Sequence, residues 1–203
     1  MDRIDQTAGD IVFTPAVKAI QTRKGSRGGY ARMEERGGWR TTITPDLAAF
    51  IAEVRSFFFA TASAEGQPYI QHRGGPKGFL RTLDDRTLAI ADFKGNRQFI
   101  SQGNLSENPQ AFLFLIDYVQ QRRIKIWCRA QVIEDDPELL RYLTPPGYAA
   151  RPEQVIRFDI EAWDANCPQH IPQRFDAEDV VGLLSARDKR IAELEAEIAR
   201  LRG

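Results

Sequence analysis

A strict alternation of apolar and polar residues between positions 123 and 132 constrains the fold of this chain more than any other feature. The apolar positions of the run are Ile124, Ile126, Cys128, Ala130 and Val132. The positions between them are Arg123, Lys125, Trp127, Arg129 and Gln131. A period of two residues predicts a β-strand with one face in a hydrophobic core and the other face outside it.

Five other segments have the composition of strands. They are residues 56–62, 68–74, 87–93, 110–118 and 156–161. The helical segments between these strands, at 96–105 and 136–143, are too few and too short for a sheet built from strand–helix–strand units. We therefore expect a mainly β domain, a small closed antiparallel barrel of six strands with peripheral helices.

The two ends of the chain differ from this central part. Residues 1–43 are rich in Gly, Arg and Thr, and they predict an extended arm with little structure of its own. A helix is expected to begin after Thr44, a good N-cap residue that Pro45 follows. The expected organisation is an arm at 1–43, a barrel domain at 44–175 and a helix at 176–203.

The C-terminal helix carries a heptad pattern. The residues of its stripe recur at alternating spacings of four and three, with one polar interruption: Val180, Leu184, Arg187, Ile191, Leu194, Ile198 and Leu201. Such a stripe is typical of a coiled coil, although so few heptads are marginal in isolation. Pairing with a second chain and packing as a single helix both remain open.

Charge and composition exclude several classes of protein. Lys plus Arg and Asp plus Glu are both 28, so the chain lacks the basic excess typical of nucleic-acid-binding proteins. The longest apolar run, 111–116, is far shorter than a membrane span, and the first residues do not resemble a secretion signal. The two cysteines, Cys128 and Cys167, have no metal-ligand spacing. We expect a cytoplasmic protein that binds no metal, nucleic acid or membrane.

Three basic segments interrupt the predicted strands, at residues 71–78, 92–98 and 122–125. Each combines Arg or Lys side chains with backbone N–H groups that glycine or a helix start leaves free. Such groups bind phosphate through charge-assisted hydrogen bonds. Since a barrel brings strand ends close together, the three segments favour one shared phosphate site. The alternative is that they are solvated strand ends of a neutral protein.

Four segments, in this order, resemble the FMN-binding split-barrel proteins related to pyridoxamine 5'-phosphate oxidase. The segments are 71–79 (QHRGGPKGF), 92–98 (DFKGNRQ), 122–128 (RRIKIWC) and 158–171 (FDIEAWDANCPQHI). The resemblance covers roughly residues 45–175. It implies a six-stranded antiparallel split barrel of Greek-key type that forms a homodimer, with two FMN molecules in clefts at the interface.

The resemblance also assigns candidate cofactor-binding residues. Those that correspond to phosphate or ribityl contacts are Arg73, Lys77, Asn96 and Arg97. Those that correspond to contacts near the isoalloxazine ring or the ribityl chain are Gln71, His72, Arg123 and Lys125. Two tryptophans are expected either to stack on a flavin ring or to fill an interface: Trp127 and Trp163.

The function that the resemblance implies is an FMN-dependent oxidoreductase acting on a small molecule that the sequence does not identify. The oxidase itself ends in an Arg- and His-containing segment that recognises its substrate, and this chain has no match to it. Alternatives are a non-catalytic flavoprotein, a haem- or deazaflavin-binding protein on the same fold, and an assembly module. His170 is a candidate proton donor or an ordinary loop histidine, and Cys167 is a candidate redox partner or a small buried residue.

Overall fold

The computed structural model describes residues 7–166 and 168–202. Within them the helices, in chain order, are α1 (Ala8–Val12), α2 (Pro15–Lys24), α3 (Arg27–Glu35), α4 (Pro45–Glu53), α5 (Ile100–Glu107), α6 (Pro137–Leu143) and α7 (Ala177–Arg202). The strands are β1 (Ser56–Ala62), β2 (Pro68–Gly74), β3 (Arg81–Thr82), β4 (Thr87–Phe93), β5 (Gln110–Asp117), β6 (Arg122–Ile133) and β7 (Pro152–Asn166).

The strands form one sheet in the order β2-β1-β5-β6-β7-β4-β3. The pairings of β1 with β2 and β5, of β4 with β3 and β7, and of β6 with β7 are antiparallel. The expected mainly β fold with a C-terminal helix is therefore confirmed. All six predicted strands form, and the additional strand β3 is only two residues long, too short to leave an alternating pattern in the sequence.

The sheet is curled, as contacts between distant strands show. The ring of Phe158 on β7 lies 5.3 Å from that of Phe59 and 6.1 Å from that of Phe57, both on β1. Two strands, β5 and β6, separate β1 from β7 in the sheet. At about 4.8 Å per strand, a flat sheet would hold β1 and β7 roughly 14 Å apart. The inner faces therefore meet across the interior of a barrel.

Apolar side chains fill this interior. Phe57, Phe59 and Phe158 are fully buried, and the alternating residues of β6 from Ile124 to Ala130 point into the same core. Helix α4, which begins after Thr44 as expected, adds Leu47, Phe50 and Ile51. A smaller core forms on the other face of β4 and β7, where Leu143 of α6 packs with Ala89, Ala91 and Val155.

The N-terminal segment does not form the expected extended arm, and that prediction is wrong. It forms three helices because it contains helix-capping residues that compositional reasoning overlooked. Thr7 and Asp10 make a capping box at the start of α1, and the hydroxyl of Thr14 accepts a hydrogen bond at the start of α2. Gly25, with φ at 81°, ends α2 in the left-handed conformation that glycine adopts readily.

A chain of aromatic rings attaches this helical segment to the outer face of the sheet. Phe13 lies 5.4 Å from Trp39, and Trp39 lies 5.8 Å from Trp127 of β6. Trp127 in turn contacts Phe112 of β5 edge-on at 5.0 Å. Trp163 is buried and donates a hydrogen bond from Nε1 to the carbonyl of Thr42 over 2.8 Å. Both tryptophans therefore pack within the chain itself.

The chain divides into two compact units. The first comprises residues 1–116 and 123–167, and the second comprises residues 117–122 and 168–203. Within the second unit, Gln121 donates a hydrogen bond to the carbonyl of Ile171 over 2.6 Å, and Arg174 lies over the ring of Tyr118. Among the described residues of both units, no helix combines the length and apolarity that a membrane crossing requires.

Gly75, in the turn after β2, occupies a position that has no room for a side chain. A Cβ atom added at Gly75 would lie 2.7 Å from the side chain of Phe79, which is 3% exposed and stacks on Phe57. We expect Gly75→Ala to lower the free energy of unfolding by about 1–3 kcal/mol, because the buried ring has to shift. Urea denaturation measures this loss. The control is Gly29→Ala in α3, where a Cβ meets nothing within 4 Å and no loss is expected; equal losses in both variants would contradict the argument.

Candidate functional site

An ion pair links the two ends of the curled sheet. Arg73 of β2 and Asp92 of β4 approach within 2.5 Å, and their side chains are 20% and 13% exposed. Both belong to the inward-facing sets of their strands: Arg73 lies opposite Phe57, and Asp92 follows Leu88 and Ile90 at period two. Strand β2 is at one edge of the sheet and β4 is next to the other edge. The ion pair therefore bridges the split in the barrel.

Hydrogen bonds extend this bridge to a helix and a further strand. The second carboxylate oxygen of Asp92 accepts a hydrogen bond from Gln154 of β7 over 2.9 Å. Ser101, near the start of α5, donates to the side-chain carbonyl of Gln71 over 3.1 Å. Strands β2, β4 and β7 and the start of α5 consequently surround one cleft.

The loop before α5 has an unusual backbone. Arg97 has φ at 61° and Phe99 has φ at 55°, both in the left-handed region that non-glycine residues rarely occupy. Each such residue costs on the order of 1–3 kcal/mol, and such conformations concentrate at ligand-binding sites. The guanidinium of Arg97 lies over the Phe99 ring at 5.1 Å and forms an exposed ion pair with Glu153 at 3.1 Å. This conformation holds Arg97 beside the first turn of α5.

The cleft has a volume of about 60 Å³. Its lining residues come from β2, the end of β4, the following loop, α5 and β7: Tyr69, Gln71, Arg73, Asp92, Phe93, Gly95, Asn96, Arg97, Gln98, Phe99, Ile100, Ser101, Gln102, Glu153 and Gln154. A volume of that size admits a few water molecules, so it is sufficient for a small polar group such as a phosphate. An open groove of about 590 Å³ shares Arg97, Phe99 and Gln102 with the cleft.

The structure brings four of the predicted cofactor-binding residues together. Gln71, Arg73, Asn96 and Arg97 all line the cleft. His72 does not, because it lies between Gln71 and Arg73 on a strand and so points to the opposite face, where its ring contacts Phe58 at 5.8 Å.

The other three predicted residues also lie outside the lining of the cleft. Lys77 follows the turn at Gly75 and forms an exposed ion pair with Glu53 at 2.7 Å. Arg123 and Lys125 lie on β6, which β1 and β5 separate from β2. The sequence does not show which basic segments are adjacent in space. These three residues were therefore grouped with those that line the cleft.

The charges of the cleft are balanced within the chain. Arg73 pairs with Asp92 and Arg97 pairs with Glu153, so two guanidinium groups face two carboxylates. The Nε atom of Arg73 is nevertheless buried and has no hydrogen-bond partner among the described residues. Burying such a donor without a partner is costly, so a ligand acceptor would satisfy it, although the Nε atoms of Arg81 and Arg123, outside the cleft lining, are buried without a partner in the same way. The residues present therefore fit an anionic group, although Asp92 and Glu153 compete with it.

Sequence reasoning missed the residues that surround the arginines. Asp92 belongs to a segment that we singled out, and its period-two spacing from Leu88 and Ile90 was sufficient to assign it to the inner face. Ser101, Glu153 and Gln154 reach the cleft from α5 and β7, which are distant in sequence. No local pattern indicates those three.

Among the described residues, neither His170 nor Cys128 lines the cleft. His170 belongs to the second compact unit, where it has φ at 64°. Cys167 lies outside the described residues. Cys128 is buried in the core, its thiol donates to the carbonyl of Ala111 over 3.6 Å, and burial raises the pKa of that thiol above its ordinary value. Across residues 7–166 and 168–202, no group of three or more His, Cys, Asp or Glu side chains is arranged for a metal ion.

Comparison with known families identifies the fold family. Residues 43–167, more than half of the chain, match the family model described as pyridoxamine 5'-phosphate oxidase. The chain belongs to the pyridoxamine 5'-phosphate oxidase family. The matched region includes every strand of the sheet and all residues that line the cleft. The expected resemblance is thus confirmed. No curated protein matches the sequence.

Two solved structures share the fold of this chain. HupZ of Group A Streptococcus is similar with a TM-score of 0.51 and 18% identity, over 66% of this chain and 99% of that one. Its H111A form is similar with a TM-score of 0.50 and 17% identity, over 61% and 99% of the two chains. An FMN-binding protein of Syntrophomonas wolfei has a TM-score of 0.46 and 12% identity, over 72% and 97%.

The half-buried position of the Arg73–Asp92 pair predicts a measurable coupling energy. A double-mutant cycle of Arg73→Ala and Asp92→Ala, followed by urea denaturation, should give a coupling of about 1–3 kcal/mol. The control cycle uses Lys77 and Glu53, whose side chains are 52% and 63% exposed. Exposed pairs contribute about 0–1 kcal/mol, so the control coupling should be smaller. Couplings of equal size would show that Arg73 and Asp92 do not hold the barrel split together.

Proposed function

We propose that this protein is an FMN-binding flavoprotein whose cleft holds the phosphate of the cofactor. The observation that carries the proposal is that Arg73 and Arg97 line one phosphate-sized cleft, with the buried Nε of Arg73 unpaired among the described residues. Family membership supports the same conclusion. The Syntrophomonas wolfei protein, itself FMN-binding, shares the fold without adding weight to the choice of cofactor.

The chain's own groups would bind and orient the phosphate. Arg73 would donate from Nε to a phosphate oxygen, and the guanidinium of Arg97 would supply a second charged donor. The first residues of α5, Ile100 and Ser101, line the cleft and add the positive end of the helix dipole. The side-chain amides of Gln71 and Asn96 are further donors. When bound, the flavin supplies hydride transfer, and the protein orients it and sets its electrostatic environment.

Asp92 and Glu153 set an upper limit on how strongly this site favours a phosphate. Each carboxylate already accepts from the arginine that the phosphate needs. A dianionic phosphate therefore gains less here than at two unpaired arginines, because like charges repel across a few ångströms. The cleft discriminates FMN from riboflavin, which lacks the phosphate, but less strongly than its two arginines alone would allow.

A second copy of the chain would complete the flavin site. The flavin ring would extend from the cleft towards the open groove that shares Arg97 and Phe99 with it. The outer face of β1 and β2 carries Ile70, which is 62% exposed, next to the contact between His72 and Phe58. Such an apolar strand face is typical of an interface between protein chains. The proposed assembly is a homodimer that pairs this face with itself.

The proposed activity is oxidation or reduction of a small molecule in a cytoplasmic setting, with a nicotinamide or a similar donor as the reductant. The open groove of about 590 Å³ beside the cleft offers space for a ring or a substrate. Haem binding gains no support from the cleft, because neither histidine is among the described residues that line it.

Flavin titration of the purified protein tests the proposed cofactor. We expect FMN to bind more tightly than riboflavin, and Arg73→Gln or Arg97→Gln to weaken FMN by about 10- to 100-fold, as loss of a charged hydrogen bond predicts. Riboflavin binding should hardly change. Asp92→Asn should act in the opposite direction and increase the preference for FMN. Isothermal titration or flavin fluorescence measures each constant.

The control for this titration is Arg141→Gln, on α6 and away from the residues that line the cleft. It should leave both flavins unaffected. A protein that binds neither flavin, or one that is purified with a Soret band, would overturn the proposal. Equal affinity for FMN and riboflavin in the parent and in all variants would show that the cleft does not bind the phosphate.

The proposed barrel homodimer makes a separate prediction. In chains that end at residue 176, which removes any contribution from α7, we expect light scattering to give a dimeric mass for the parent sequence. Ile70→Glu should make this shortened chain monomeric, because a charge is then buried in the apolar interface. The matched control is Ile20→Glu on α2, where the isoleucine is 51% exposed. If Ile70→Glu stays dimeric, the interface lies on another face.

A further inference from the structure

Helix α7 is long, and its side chains lie in solvent. It has 26 residues, which corresponds to about 39 Å, and every residue from Ala177 to Arg202 is exposed. The apolar members include Leu183 at 74%, Leu184 at 42%, Ile191 at 44% and Leu201 at 71%. An isolated helix with so much exposed apolar surface is marginal in water. The helix therefore requires a partner for that surface.

The identity of the stripe residues selects the type of pairing. In heptad notation, Leu184, Ile191 and Ile198 occupy a positions, whereas Val180, Arg187, Leu194 and Leu201 occupy d positions. The last two heptads thus have Ile at a and Leu at d. β-branched residues at a combined with Leu at d favour two parallel strands. Coiled coils of three or four helices are favoured instead by Ile at both positions, or by Leu at a and Ile at d.

The charges beside the stripe select the same arrangement. In a parallel, in-register pair, each g residue faces the e residue five positions later in the other helix. This rule sets Arg190 against Glu195 of the second copy, and Glu197 against Arg202 of the second copy. Both contacts are attractive, and each occurs twice. An antiparallel pair with the same apolar layers would also have an attractive contact, Arg190 with Glu197, but it would set Asp188 against Glu195, two like charges.

Contacts within the helix do not oppose this pairing. Arg190 lies 3.1 Å from Glu193, and Arg200 lies 3.7 Å from Glu197, and all four side chains are at least half exposed. Exposed ion pairs of this kind contribute only about 0–1 kcal/mol, so their exchange for contacts between helices costs little.

The charge pattern also disfavours a membrane surface as the occupant. Helix α7 contains six acidic and five basic residues. An interfacial membrane helix has a polar face rich in Lys and Arg, which an anionic bilayer attracts. The nearly balanced charges of α7 lack that attraction and suit a copy of the same helix.

We propose that α7 pairs with α7 of a second copy of this chain as a parallel, in-register, two-stranded coiled coil, in which Arg190–Glu195 and Glu197–Arg202 contacts between copies set the orientation. The pairing is independent of the flavin site. Arg187 is the one charged residue in the seam, and it weakens the pairing while its long side chain reaches solvent.

Disulfide crosslinking of the full-length protein tests the register. Leu201→Cys places a cysteine at a d position near the end of the helix, where identical residues of a parallel pair face each other. In an antiparallel pair with the same apolar layers, the two copies of residue 201 would be roughly 25 Å apart, too far for a disulfide. The expected result is a covalent dimer after mild oxidation. The controls are the parent chain, which has only Cys128 and Cys167, and Ala196→Cys on the opposite face of the helix.

Charge exchange tests the selection of the partner. In the Leu201→Cys background, Arg190→Glu sets two acidic residues against each other and should reduce the crosslinking rate roughly tenfold. Adding Glu195→Arg restores an attractive pair and should restore the rate. Arg187→Leu should raise it. Because α7 is exposed along its whole length, none of these changes disturbs the core of the first unit.

Crosslinking through residue 201 with no crosslinking through residue 196, together with rescue by the double charge exchange, supports the proposed pairing. Equal crosslinking through both residues would indicate random collision and would overturn it. A crosslinking rate that stays the same after Arg190→Glu would also overturn the proposed orientation, since the Arg190–Glu195 contact would then be absent. Flavin content is measured on the same samples and should be unchanged, so failure here is distinct from failure of the cofactor proposal.

Discussion

Phe158 packs edge-on against Phe57 and Phe59, and this contact between β7 and β1 determines the geometry of the rest of the first unit. It requires the sheet to curl, because two further strands lie between those two. Curling brings the edge strand β2 to β4, so that Arg73 meets Asp92. The cleft exists only because of this approach. A core of aromatic residues therefore creates a polar site that none of its own atoms touches.

The polar groups at the split stabilise the barrel and, in the proposed function, also bind an anion. These two roles conflict. A carboxylate on Arg73 stabilises the junction between β2 and β4, because a half-buried guanidinium without a partner is costly. The same carboxylate repels an anion that approaches the arginine. Nη1 of Arg73 donates to Asp92, whereas its buried Nε has no hydrogen-bond partner among the described residues, so the two roles need not use the same donor. The strained backbone at Arg97 and Phe99 is a second cost of the site.

The sequence predicted the strands well because alternation is a direct result of burying one sheet face. Ile124 and Ile126 are buried, as their spacing indicated. The same rule, applied to β2, separates Gln71 and Arg73 from His72, and its neglect led us to group all three. That Lys77, Arg123 and Lys125 lie outside the cleft lining follows only from the three-dimensional structure, and their contact with a cofactor stays a prediction. The helices at the N-terminus were missed because composition was weighed above the capping residues Thr7 and Thr14.

The aromatic attachment of the N-terminal helices has a consequence for the order of events during synthesis. Trp39 leaves the ribosome early, whereas its docking site, Trp127, follows roughly 90 residues later in the chain. Trp127 projects from β6, whose outer face is complete only when its neighbouring strands have assembled. The helices that Trp39 attaches can therefore reach their docking site only after β6 and its neighbouring strands have been synthesised. Until then Trp39 lacks its contact with Trp127, whereas Phe13 can already pack against Tyr30 and Trp39 of the same segment.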